Sequence, residues 1–82
     1  MLIKFKSMLL DVQEKTSAKG NKYQIFSFYD GKYSLNLMTR EIVPPSGYQV
    51  KKDYEVDAEF YVVRYDGNES VRLNLKQLKQ IS

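Results

Sequence analysis

Residues 22–40 read KYQIFSFYDGKYSLNLMTR, and the Asp30-Gly31 pair near their centre separates two runs in which apolar and polar residues alternate. Alternation puts every second side chain on the same face of a strand, and Asp-Gly between two such runs is a strong short-range hairpin signal. A two-residue type I′ turn at Asp30 and Gly31 would set Tyr29 opposite Lys32, Phe28 opposite Tyr33, Ser27 opposite Ser34 and Phe26 opposite Leu35. It would continue with Ile25 opposite Asn36, Gln24 opposite Leu37 and Tyr23 opposite Met38. One face then holds Phe26, Phe28, Tyr33, Leu35 and Leu37 and reads as core. The other holds Tyr23, Ile25, Ser27, Tyr29, Lys32, Ser34, Asn36, Met38 and Arg40. A plain solvated sheet face rarely needs that mixture of aromatic, amide and cationic groups.

The same signal recurs at Asp66-Gly67. Its turn predicts the pairs Tyr65/Asn68, Arg64/Glu69, Val63/Ser70, Val62/Val71, Tyr61/Arg72, Phe60/Leu73, Glu59/Asn74 and Ala58/Leu75, in which core-type residues meet core-type partners. Followed backwards, Tyr54, Val56 and Ala58 point inward while Glu55, Asp57 and Glu59 point out. Ser17-Ala18-Lys19-Gly20-Asn21 and Pro44-Pro45-Ser46-Gly47 mark longer loops. The expected strands are residues 2–14, 22–29, 32–40, 54–65 and 69–76, with 41–53 mostly loop and room for one short helical turn. Five strands of this size do not bury two faces as an open sheet, and closure into a barrel removes the exposed edges. The fold class is therefore all-β, a single domain over residues 1–82 built as a five-stranded OB-fold-like barrel. An SH3-like barrel is the competing architecture. The long first strand and the long link between the third and fourth strands favour the OB-fold. Phe26, Phe28, Leu35, Leu37, Phe60, Val62 and Leu73 are the expected core.

Composition narrows function by removing chemistry. The chain of 82 residues has no cysteine and no histidine, so thiolate chemistry, Ser-His-Asp arrangements and histidine-based metal sites are excluded. The glycines stand singly at turns and form no phosphate loop. No catalysis, cofactor or metal is expected. Glu55, Asp57 and Glu59 resemble a comb for a divalent cation, but such acids on an exposed strand more often keep an edge soluble. The N-terminal residues Met1-Leu2-Ile3-Lys4-Phe5-Lys6 interrupt their apolar run with lysines, so the reading is of a soluble, cytoplasmic protein. Charge is unevenly spread. Lys15, Lys19, Lys22, Lys32 and Arg40 face the lone acid Asp30 within 15–40, whereas seven acids between Glu41 and Glu69 oppose Lys51, Lys52 and Arg64. A polyanion has a preferred side on such a body.

The run Lys19-Gly20-Asn21-Lys22-Tyr23, followed by an aromatic strand, a tight turn and Lys32-Tyr33-Ser34-Leu35-Asn36-Leu37, resembles small phage and plasmid single-stranded-DNA-binding proteins of the filamentous-phage gene V type. The resemblance implies an OB-fold, a homodimer that coats single strands during replication, and work in the host cytoplasm. It also implies that Tyr23 stacks on bases with Ile25 beside it. The residues agree with that role on their own terms, because single-strand binding needs aromatic platforms for bases and cations along the phosphates. Tyr23, Tyr29, Lys32, Asn36 and Arg40 on one face, with Lys19 and Lys22 in the adjoining loop, supply both. Tyr61 and Arg72, paired across the second hairpin, would extend the channel, although such a pair often only stabilises a sheet. The expected partner is single-stranded nucleic acid, DNA before RNA, with no membrane. A small barrel that docks a protein in a phage or mobile-element assembly is the alternative.

Overall fold

Fifteen residues from Leu2 to Thr16 form one strand, β1, too long to be spent on a single partner in a chain of this length. Its first half, Leu2 to Met8, pairs antiparallel with β4 (Asp53–Tyr65), and its second half, Met8 to Thr16, pairs antiparallel with β2 (Lys22–Tyr29). Leu10 is the extra residue of a bulge between Leu9 and Asp11, and a bulge bends the strand that carries it. Backbone bonds from Lys51 N to Leu9 O (2.6 Å) and from Leu9 N to Lys52 O (2.9 Å) pin the bend. In this computed structural model, which describes residues 1–81, β3 (Ser34–Thr39) and β5 (Asn68–Gln80) complete a closed barrel in the order β1-β2-β3-β5-β4. This is the OB-fold order, and it sets aside the SH3-like alternative. The barrel closes weakly at one place, where β3 and β5 run parallel and share a single bridge, Met38 with Asn74. No helix among the described residues is long and apolar enough to cross a membrane.

The interior follows the alternation of the strands. Leu9, Phe26, Phe28, Leu37, Tyr54, Val56 and Ala58 are buried. Phe5 meets Phe28 edge-on at 6.0 Å, and Tyr48 meets Phe26 edge-on at 5.5 Å. Tyr48 comes from the connection 40–52, whose only regular element is a 3-10 turn at Pro45–Gly47. Two polar clamps seat that connection on the end of the barrel. The buried Gln24 amide accepts from Val43 N at 2.7 Å and donates to Val43 O at 3.0 Å, while the Tyr54 hydroxyl accepts from Gln49 N at 2.7 Å. Each satisfies polar groups that burial would otherwise strand.

All eight predicted pairs of the second hairpin are present, and β5 runs on to Gln80 past an irregularity beside Asp57 and Ala58. The first hairpin departs from the expected register by two residues, with Phe28 opposite Leu35, Phe26 opposite Leu37 and Ile25 opposite Met38. Asp30 is the cause. Its carboxylate accepts from the N–H groups of Lys32 (2.9 Å) and Tyr33 (2.7 Å), and its own N–H donates to Tyr33 O, so the reversal centres on Gly31 and Lys32. Gly31 takes the left-handed conformation this needs, at φ +99°. A shift of two keeps every side chain on its face. It does, however, remove Tyr33 from the core face to an exposed loop and Lys32 from β3 to the tip.

Val62 is a second correction, being 49% exposed, with its partner Val71 at 58%. The inward parity is as read, but there is nothing inside at that level. Met1 pairs with Phe60 and ends the cover from β1, and β3 reaches β5 only at Asn74, so residues 61–72 leave the barrel as a two-stranded arm. Phe60, Leu73 and Leu35 lie half-buried around its base.

Candidate nucleic-acid interface

Outward side chains of the first three strands line up in rows. Lys15 lies across from Tyr23; Gln13, Ile25 and Met38 form the next row, Asp11, Ser27 and Asn36 the one after, and Tyr29 with Ser34 the last. Because Phe26, Phe28 and Leu37 fill the interior, their neighbours in sequence must face out. Tyr23, Ile25 and Met38 are half-buried, whereas Tyr29 and Asn36 are exposed. The strip is therefore aromatic at both ends, with aliphatic and thioether surface between.

At the Tyr23 end the strip deepens into a cleft of about 740 Å³, lined by Ser17, Ala18, Lys19, Asn21, Lys22, Tyr23, Met38, Arg40 and Arg72. The loop that carries Lys19 is held by its own bonds. Ser17 N donates to Asn21 O at 2.8 Å, Asn21 N donates to the Ser17 hydroxyl at 3.1 Å, and Gly20 turns the chain at φ +88°. Lys22 approaches Glu14 at 4.0 Å, an exposed pair of little energetic weight. Among the described residues, no ion pair engages Lys19, Arg40 or Arg72. Four cations around one cleft concentrate positive potential there.

Of the residues singled out from sequence, Lys19, Lys22, Tyr23, Arg40 and Arg72 thus converge, although they come from a loop, from β2, from the position just past β3 and from the arm. Ile25 and Asn36 continue the strip away from them. Tyr29 sits at the far end, in a different cleft with Lys6, Asp30 and Asp53. Lys32 lies apart at the hairpin tip, its ammonium 5.2 Å from the centre of the Tyr33 ring. Tyr61 pairs with Arg72 as read but does not line the cleft. Lys15 and Met38 join the site without having been singled out. Alternation with Asn36 and Arg40 puts Met38 on the outward face, but Lys15 depends on the register set by the Ser17–Asn21 loop. The acidic comb of β4 holds lysines: Lys4 Nζ lies 3.4 Å from Glu55 and 3.8 Å from Asp57, and Lys76 Nζ lies 3.9 Å from Glu59.

Among solved structures, the mitochondrial single-stranded DNA binding protein Rim1 of S. cerevisiae matches with a TM-score of 0.73 over 99% of this chain and 95% of that chain, at 15% identity. The likeness is one of fold. It spans the whole barrel and both hairpins, so it supports the OB-fold independently of the strand order. No protein-family model and no curated protein matches the chain.

Proposed function

We propose that this protein binds single-stranded DNA with little dependence on base sequence, by stacking bases on the β2–β3 strip and pairing phosphates with the cations around it. The observation that carries the reading is the convergence of Lys19, Lys22, Arg40 and Arg72 on the cleft that also contains Tyr23. An aromatic ring set among cations on an OB-fold sheet is the arrangement that holds successive nucleotides without reading them. Tyr23 stacks on a base, Ile25 and Met38 provide apolar contact, and Asn36 and Tyr29 extend the track. Lys15, across from Tyr23, adds a further phosphate contact. The resemblance to gene V type proteins supports replication of phage or plasmid DNA in a host cytoplasm as the setting, and a homodimer as the working form. The fold shared with Rim1, a single-stranded DNA binding protein, supports single-stranded DNA as the partner. The role is read as binding and not catalysis, because the chain lacks histidine and cysteine, two of the side chains on which proton transfer and nucleophilic attack most often rely, although its carboxylates leave acid-base chemistry formally open.

The test is a fluorescence titration with labelled oligo-dT, repeated with duplex of equal length and at two salt concentrations. Single strands should bind far more tightly than duplex, and affinity should fall steeply with salt because bound phosphates release counterions. Salt-independent binding, or equal affinity for duplex, would refute the reading.

A further inference from the structure

We propose that the β4 edge of the arm, from Tyr61 to Tyr65, is a strand-pairing surface that takes the same edge of a second copy of this chain, antiparallel and about a two-fold axis at Val63. The proposal rests on the homodimer reading above and names its contact surface. Phe60 is the last residue of β4 that β1 covers: its N–H donates to Met1 O at 2.7 Å and its carbonyl accepts from Met1 N at 3.0 Å. In an antiparallel ladder the N–H and C=O of one residue point to the same side, and the side alternates along the strand. Val62 and Arg64 therefore turn theirs the way Phe60 does, while Tyr61, Val63 and Tyr65 turn theirs to Arg72, Ser70 and Asn68 of β5. Among the described residues no strand takes up the Val62 and Arg64 groups.

An open edge is commonly protected by lysine, proline or a bulge. The run Tyr61-Val62-Val63-Arg64-Tyr65 has no lysine and no proline, and its ladder with β5 is unbroken from Ala58 to Tyr65. Its one charge, Arg64, is held within the arm by Glu69 at 2.9 Å. Aromatic and β-branched residues of this kind suit a strand with neighbours on both sides, and a two-stranded ribbon gains stability once it becomes part of a wider sheet.

Charge and symmetry favour a second copy as the occupant. Residues 61–72 carry Arg64 and Arg72 against Asp66 and Glu69, so two arms meet without net repulsion although the whole chain is +3. Centred on Val63, the pairing bonds Val62 to the partner's Arg64 and Arg64 to the partner's Val62, four backbone hydrogen bonds in all. It also sets Tyr61 beside the partner's Tyr65 and Val63 beside the partner's Val63, so one patch serves both copies. The other edge of the arm, on β5, lies toward β3 and the Tyr23 cleft that Arg72 lines. Pairing through β4 leaves both clefts open to a strand.

The axis at Val63 provides the test, because residue 63 meets its own copy across it. Val63→Lys and Val63→Glu each place like charges opposite one another, which destabilises a cross-strand pair. Each variant alone should sediment at the chain mass of 9.6 kDa where the parent sediments at twice that, and an equimolar mixture of the two should return to the doubled mass. Val62→Pro removes an N–H that points to the partner and none that the hairpin uses, so it should also give a monomer and serves should a charge at Val63 disturb the arm. An oligo-dT short enough for one barrel should bind all three variants like the parent, since neither valine lines the cleft. A dimer that persists in these variants, or a mixture that stays monomeric, would overturn the arm pairing and leave the homodimer reading intact. A monomeric parent would remove both, and leave single-strand binding to its own titration.

Discussion

Asp30 shows how a single carboxylate sets the geometry of a hairpin. Its hydrogen bonds to the N–H groups of Tyr33 and Lys32 hold its pKa below the ordinary value of 3.8, because each bond favours the charged form. A depressed carboxylate pKa stabilises the fold above the unfolded value, and that contribution is lost as pH falls through the folded one. The amide resonances of Lys32 and Tyr33 should therefore move together on acidification with a midpoint below 3.8. A midpoint at or above that value would mean the bonds do not persist in solution. Tyr23 and Arg40 differ in a way that affinity alone hides. Tyr23→Ala should cost about 1 to 3 kcal/mol of binding, the range for a lost base stack, and leave the salt slope almost unchanged. Arg40→Ala, and likewise Lys22→Ala, should flatten the slope by somewhat under one unit each while weakening binding to all sequences similarly. Log-log plots of affinity against salt separate the two classes, and a thermal melt checks that the barrel survives. A Tyr23→Ala variant that binds like the parent would place the stacking platform elsewhere.

Among the elements, the β4–β5 hairpin divides into two physical regimes. Up to Glu59 and Asn74 it is barrel wall, with Val56 and Ala58 fully buried; beyond, it is a ribbon with Val62 and Val71 open to solvent. A lone two-stranded ribbon has little stability of its own. Val62→Thr should accordingly change stability by no more than about 0.5 kcal/mol, the usual range for surface positions. Phe26→Ala, by contrast, should cost about 3 to 5 kcal/mol, because a fully buried ring leaves a cavity against Phe28 and Tyr48. Denaturant unfolding of both variants makes the comparison. If Val62→Thr proves as damaging as a core change, the arm is covered in solution. The connection 40–52 shows the converse, for it looks like loop in sequence yet brings Tyr48 and Val43 onto the core through the Gln24 and Tyr54 clamps.

At the scale of the whole molecule the arm dominates the shape. The radius of gyration is 13.3 Å with extents of 43 × 27 × 19 Å, against about 12 Å expected of a compact domain of this length. A single barrel of this size covers a short stretch of strand, and a second copy raises avidity without any new kind of contact. Sedimentation should therefore find twice the chain mass of 9.6 kDa, alone and with an oligonucleotide bound. A monomer under both conditions would remove the homodimer from the proposed function.

The sequence by itself determined the strands, their inward and outward faces and the register of the second hairpin, because period-two patterning and an Asp-Gly turn are local properties. It therefore also determined that Tyr23, Ile25, Asn36 and Arg40 share an outward face, a result that survived the two-residue shift at Asp30 since parity is insensitive to an even displacement. Only the tertiary structure decided what lies beneath those faces. Val62 has the pattern of a core residue and is exposed, because where the barrel ends is set by how far β1 and β3 run alongside β4 and β5. The meeting of Lys19, Arg40 and Arg72 is likewise decided by closure, which brings a loop, a strand end and an arm from distant parts of the chain to one cleft. Contacts of that separation depend on how the sheet wraps around its core, and no pattern confined to neighbouring residues encodes them.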